Sequence, residues 1–263
     1  MRTPLLFLYF LTHCFTSHAQ STASKQVSII EVEAQQLDTI KKVWVYLPKS
    51  YHTTQKRYPV IYMHDAQNLF DKETSYAGEW GIDEHFDQIS SGTIVVGIEH
   101  GNKKRVDELT PWPDRNNNGG KGDAYLDFIA TTLKPIIDEQ YRTKSEKKHT
   151  AIGGSSLGGL ISFYALMKHK DTFSKGIIFS PSFWWSEEIY NMALRHDFKG
   201  QKLYMTTGSK EGGNMVPDLK RMQLLLLSKG LSKKALHVSI ALGHDHNEKF
   251  WSEAFPKAYA WLH

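Results

Sequence analysis

Six apolar cores, PVIYMHD, TIVVGIE, HTAIGG, KGIIFS, KLYMTTG and ALHVSIAL, alternate with helix-patterned segments along most of the chain, and two strand-like runs, VSIIEVEA and KKVWVYLP, precede them. Strands joined by helical crossovers run parallel and are covered on both faces, which is why their cores read as nearly continuous apolar runs. Two leading strands without an intervening helix add an antiparallel edge. The order therefore predicts an α/β fold, with a mainly parallel sheet, an antiparallel N-terminal edge and helices on both faces. Helical patterns lie within Glu79 to Ile89 and from Asp123 to Tyr141, where Tyr125, Phe128, Ile129 and Ile136 share a face and Pro135 predicts a kink. Others follow Ser156, surround Glu187 to Leu194, run from Pro217 to Ser228, and close the chain from Lys249 to Leu262.

The 263 residues suffice for one large domain, and no composition break argues for two. With 40% hydrophobic and 23% charged residues the chain is globular, and a net charge of +4 gives no basis for nucleic-acid binding. The basic clusters at Lys103 to Arg105 and Glu146 to His149 are short and flanked by acids, as on solvated faces. Residues 1–19 carry Arg2, an apolar stretch from Leu5 to Leu11 and the small-x-small end Ser17-His18-Ala19, the pattern of a secretory signal. That stretch is far shorter than a membrane span. The single cysteine, Cys14, lies inside the signal, and His13 before it is too bulky for a lipoprotein site. The expectation is an exported protein with one domain over residues 20–263, no membrane span and no disulfide.

In open parallel sheets, ligands bind beyond the carboxyl ends of the strands. Four strand ends are rich in chemistry: His64-Asp65-Ala66-Gln67-Asn68, Gly154-Ser155-Ser156-Leu157-Gly158, Gly208-Ser209-Lys210-Glu211 and Gly243-His244-Asp245-His246. The second fits G-x-S-x-G, in which a serine sits on a strained strand-to-helix turn with its hydroxyl held out; small neighbours are required there because a Cβ would strike the adjoining strand or helix. A serine hydroxyl becomes a nucleophile when a histidine takes its proton and a carboxylate fixes the histidine's tautomer. Ser156, Glu211 and His246 follow strand ends in the chain order Ser, acid, His that this fold uses.

Through YMHDAQNLFD, AGEWGIDEHFD, VVGIEHG, RVDELTPW, LKPIIDEQYRT, AIGGSSLGGL, SPSFWW, TGSKEGG and HNEKFW, nearly the whole mature chain resembles the esterase family of α/β-hydrolases. That family includes esterase D, the enterochelin, feruloyl and acetylxylan esterases, and the mycolyltransferases. The resemblance implies an α/β-hydrolase fold, Ser156 as nucleophile, Glu211 as acid and His246, five positions before Trp251, as base. Asp218 competes with Glu211, and His244 with His246. Oxyanion donors are expected at Leu157 N–H and, by the resemblance, at Gln67 N–H, with Ala66 as the alternative. Ala66 stands where relatives have glycine, so a positive φ there would strain the loop. His64 and Asp65 are expected to brace it.

Trp112 and Trp184 are candidates for stacking on a substrate, whereas Trp185 reads equally as core. A zinc site from His64, Asp65, His244 and His246 would leave the serine turn unexplained. Asp114-x-Asn116-x-Asn118-Gly119 mimics a calcium loop, but its twelfth position is Tyr125, not a glutamate. The expected activity is serine carboxylic-ester hydrolysis through an acyl-enzyme, without cofactor or metal, on a small-molecule, carbohydrate or siderophore ester. An acyltransferase, or a silent carbohydrate- or siderophore-binding protein on the same fold, are the alternatives.

Overall fold

The computed structural model describes residues 21–116 and 118–263, so the expected signal at residues 1–19, with Cys14, lies outside the described residues. Eight strands form one sheet: β1 (Val27–Ala34), β2 (Thr39–Tyr46), β3 (Val60–His64), β4 (Ile94–Ile98), β5 (Thr150–Ser155), β6 (Lys175–Phe179), β7 (Lys202–Gly208) and β8 (Leu236–Ala241). Their order is β1-β2-β4-β3-β5-β6-β7-β8. The pairs β1·β2 and β2·β4 are antiparallel and the other five are parallel, as the two leading strands predicted. Every residue of β3, β4 and β5 is buried.

Side chains alternate across the pleat and divide the core in two. Tyr62, Val96, Ile152 and Ile178 point into one half with α5 (Leu157–Lys168), whereas Ile61, Met63, Val95, Ile177 and Phe179 point into the other. Helices α1 (Ile82–Ile89) and α8 (Glu248–Leu262) supply Phe86, Trp251, Phe255 and Ala258 to that second half. The first half is closed by α3 (Gly122–Asp127), α4 (Lys134–Gln140), α6 (Glu188–Arg195) and α7 (Met215–Ser228). Helix α5 is apolar almost all round because it is buried almost all round, from Leu157 to Met167. It approaches β6 so closely that a Cβ on Gly159 would lie 2.7 Å from the Phe179 carbonyl oxygen and 3.1 Å from Pro181 Cα.

Two local features depart from the expectation. The helix over 123–141 is interrupted well before Pro135: Phe128–Leu133 widens into a π-helical turn between α3 and α4. Pro135 has no N–H for the Thr131 carbonyl, so the ladder loosens one turn upstream of the ring. The Lys103 to Arg105 cluster is also not a wholly solvated face, because a short helix, α2 (Arg105–Leu109), turns Arg105 inward onto Asp65.

Replacing Gly159 by alanine should destabilise the fold by about 1–3 kcal/mol, the usual cost of forcing an atom into packed backbone. Denaturant unfolding measures this, and wild-type stability in Gly159→Ala would show that α5 can move off β6.

Candidate active site

Ser156 links β5 to α5 with φ 57° and ψ −120°, a backbone geometry that costs a non-glycine residue about 1–3 kcal/mol. Surrounding hydrogen bonds hold it there. Its N–H donates to Phe179 O (3.0 Å), and its carbonyl accepts from Leu160 N–H (3.0 Å) and Ser182 N–H (3.1 Å). The glycine pattern has the steric origin expected of it, though unequally. A Cβ on Gly154 would sit 3.1 Å from both Gly158 C and His64 Cδ2, whereas one on Gly158 would only touch His64 Cβ at 3.4 Å. The Ser156 hydroxyl is half-buried and lies 3.5 Å from Ser182 Oγ.

His246 comes from the loop between β8 and α8, just before Asn247, whose side chain caps α8 by accepting from Phe250 N–H at 3.0 Å. Its Nδ1 lies 3.0 Å from Glu211 Oε2, and its ring stands edge-on to Trp251. The Glu211 side chain is 0% exposed. Its other oxygen, Oε1, accepts from the Ser180 hydroxyl and from Gly208 N–H, both at 2.6 Å. Ser180 in turn accepts from Trp251 Nε1–H at 2.8 Å. Burial alone would push the Glu211 carboxyl up, but the His246, Ser180 and Gly208 donors outweigh it and hold the group below its usual value. Gly208 is needed because a Cβ there would collide with the His244 carbonyl, which accepts from Lys210 N–H at 3.0 Å.

The competing residues point elsewhere. The Asp218 carboxyl is raised by burial, and its Oδ2 is buried without a partner, while its main-chain oxygen faces the Tyr190 hydroxyl. His244 packs on Phe250, with Nδ1 3.8 Å from Glu253, and lines a cavity of about 430 Å³ between β8 and α8 with Tyr204, His237 and Trp261.

The loop after β3 abuts the serine turn through His64 and Asp65. Here the strain falls one residue earlier than expected. Asp65 takes the left-handed conformation (φ 58°), and Ala66 opens a single 3-10 turn, Ala66–Asn68, so alanine in place of glycine costs the loop nothing there. Arg105 grips Asp65 with two bonds of 2.8 Å, and Glu248 Oε1 accepts from Asn68 Nδ2 at 3.3 Å, tying the loop to the start of α8. Gln67 and Leu157 both stand in first turns, where N–H groups lack acceptors within the helix. His64 Nδ1 pairs with the Tyr125 hydroxyl at 2.8 Å, and burial drives the ring's pKa down to about 4, with nearby Arg105 and Lys41 acting the same way against Asp65.

His64, Asp65 and His246 each pair with a different residue, Tyr125, Arg105 and Glu211. Asp114 Oδ1 accepts from Asn116 and Asn118 N–H, as in a polar turn. Of the tryptophans, Trp184 is 56% exposed and offers an open face. Trp112 is half-buried edge-on to Tyr164, and its carbonyl accepts from Nε1–H of core-packed Trp185. Sequence reasoning missed Ser180, Arg105 and Glu248. Ser180 carried one signal, its place after β6 in SPSFWW, where its φ is 43°.

This sheet, with a serine on a strained strand-to-helix turn and a carboxylate–histidine pair at neighbouring strand ends, defines an α/β-hydrolase. The profile of the family described as "Putative esterase" matches residues 34–262, and the chain belongs to that family. It is 31% identical over 240 residues to the Bacillus subtilis protein YbbA, covering 85% of this chain and 92% of that one. It is 30% identical over 149 residues to the siderophore triacetylfusarinine C esterase of Aspergillus fumigatus, covering 54% of this chain and 48% of the relative. Among solved structures, siderophore hydrolase EstA from Aspergillus nidulans superposes with a TM-score of 0.73 at 22% identity, over 95% of this chain and 98% of that one.

Two predictions come from the buried groups. Ser180→Ala leaves Trp251 Nε1–H without its acceptor and Glu211 with one donor fewer, and should cost about 1–3 kcal/mol in denaturant unfolding; an unchanged unfolding midpoint would contradict the network. His64 stays neutral in the fold down to about pH 4 while its unfolded form gains a proton near pH 6.5, so it lowers stability as pH falls through that window. Between pH 7 and 5 its share is a loss of about 2 kcal/mol, which should be missing from the pH dependence of His64→Gln.

Proposed function

We propose that this chain is an exported serine esterase in which Ser156, His246 and Glu211 form the catalytic triad. The observation that carries the reading is the His246–Glu211 hydrogen bond, made to a carboxylate sealed from water and held ionised by two further donors. A carboxylate so placed fixes the tautomer with the proton on Nδ1 and leaves Nε2 as the base.

Ser156 Oγ attacks the ester carbonyl carbon as its proton passes to His246 Nε2. The carbonyl oxygen takes up the negative charge and is met by the N–H groups of Leu157 and Gln67. His246 then gives its proton to the departing alkoxide, leaving the acyl group on Ser156. Water repeats the sequence: its proton goes to His246, its oxygen bonds to the acyl carbon, and the Ser156 alkoxide leaves and regains the proton. The strained turn and the buried acid are formed before substrate arrives, so little reorganisation is needed during reaction.

The substrate class we assign is a siderophore ester. Its support is the likeness to the siderophore esterase of Aspergillus fumigatus, and Trp184 gives a bulky aryl or chelate group a surface to stack on. Export through removal of residues 1–19 belongs to the same reading. No helix among the described residues is long and apolar enough to cross a membrane.

The test is steady-state hydrolysis of p-nitrophenyl acetate, a ferric siderophore ester and a feruloyl ester by wild type and three variants. Ser156→Ala and His246→Ala should each lower kcat by about ten-thousand-fold or more while remaining folded, and His244→Ala should stay within about tenfold of wild type. The siderophore ester should give the highest kcat/KM. Activity surviving in Ser156→Ala, or lost with His244 instead of His246, would require a different assignment.

A further inference from the structure

The segment that starts at Ser21 is seated on carboxylates. Ser21 Oγ donates to Asp71 Oδ2 (2.5 Å), Thr22 Oγ1 to Glu79 Oε2 (2.8 Å), and Ser24 N–H to Asp83 Oδ2 (2.7 Å). In Glu79 and Asp83 this uses one oxygen and leaves the other idle: Glu79 Oε1 and Asp83 Oδ1 are both shielded from solvent and accept nothing. Asp83 is 0% exposed. Buried carboxylate oxygens without donors are costly and rare, and these two belong to adjacent groups.

Glu84 completes the arrangement. One carboxylate oxygen from each of Glu79, Asp83 and Glu84 falls within 4.8 Å of the others. Gly81, the residue before α1, takes the left-handed conformation (φ 62°), and the position of a Cβ there is 3.3 Å from Glu84 Oε2, so this carboxylate lies back over the helix start. Attraction of acids to a helix N-terminus accounts for exposed Glu84. It does not account for a fully buried aspartate with an open oxygen.

We propose that Glu79, Asp83 and Glu84 form a calcium site that locks Ser21–Ser24 onto the start of α1. An all-oxygen, all-carboxylate donor set selects a hard cation. Oxygens up to 4.8 Å apart suit Ca–O bonds of about 2.3–2.6 Å, whereas magnesium needs a tighter octahedron and gives up its water reluctantly. Water reaches the remaining positions from the exposed Glu84 side. A cation here binds the carboxylates that also hold the N-terminal segment, so docking of the segment and binding of the metal stabilise the same groups. The rival occupant is a proton shared by Asp83 and Glu84: burial and the neighbouring Glu84 push the Asp83 carboxyl up to about 8.

The experiment uses the full mature chain stripped of metal with EDTA, titrated with CaCl2 by calorimetry and with Tb3+ by luminescence sensitised through Trp80, the residue beside Glu79. One Ca2+ per chain is expected, with a rise in Tm. Glu84→Gln, which alters an exposed side chain and leaves the core intact, should weaken Ca2+ at least tenfold and remove most of the Tm rise, and Glu79→Gln should do the same. Unchanged affinity in both variants would overturn the site, as would no binding at millimolar calcium together with a protonated-carboxyl infrared band at neutral pH that Asp83→Asn removes. Mg2+ binding as tightly as Ca2+ would overturn the choice of ion. None of these readouts depends on esterase activity.

Discussion

The Glu211 carboxylate joins three strand ends that the chain leaves far apart. It sits at the end of β7, accepts from Ser180 beyond β6 and meets His246 beyond β8. A buried negative charge is tolerable only when donors surround it, so each donor has its own support: Trp251 of α8 braces Ser180, and the Gly208 amide is held where the His244 carbonyl packs against it. Removing one support leaves a buried group unpaired, not merely one contact fewer. The final helix is therefore part of the site as well as part of the core.

Backbone strain sits at Ser156, Asp65 and Ser180, all at carboxyl ends of central strands and all in φ regions that non-glycine residues avoid. Each is over-determined by its surroundings: Ser156 by three main-chain bonds, Asp65 by the two-bond Arg105 clamp, and Ser180 by Glu211 and Trp251. The central strands β3, β4 and β5, buried on both faces, form a rigid base for these residues.

The strands were legible because burial on both faces leaves an unmistakable apolar signature, and the serine turn because its glycines answer to a steric need that sequence records directly. Other parts were not. Sequence favoured Glu211 over Asp218 by its place three positions past Gly208; that Ser180 and Gly208 converge on the Glu211 carboxylate was not legible, because convergence of distant segments leaves no local trace. Arg105 looked like one of a solvated basic trio because its partner Asp65 is forty positions away. The left-handed residue after β3 was sought at Ala66, where side-chain size suggested a conflict, but aspartate tolerates that conformation better and holds it. The π-helical turn at Phe128–Leu133 lies before Pro135, and a proline pattern gives the presence of a fault more readily than its position.

The central claim is the proposed one, that His246, held by Glu211, activates the hydroxyl of Ser156. Reaction of the wild-type protein with a fluorophosphonate, followed by peptide mass spectrometry, tests it most directly, since a covalent adduct forms only where a serine is deprotonated on approach to phosphorus. The account predicts one adduct per chain, on the peptide carrying Ser156, and much slower labelling when Glu211→Ala removes the carboxylate behind His246. A folded wild-type protein that takes no label, or takes it on another serine, would contradict the account.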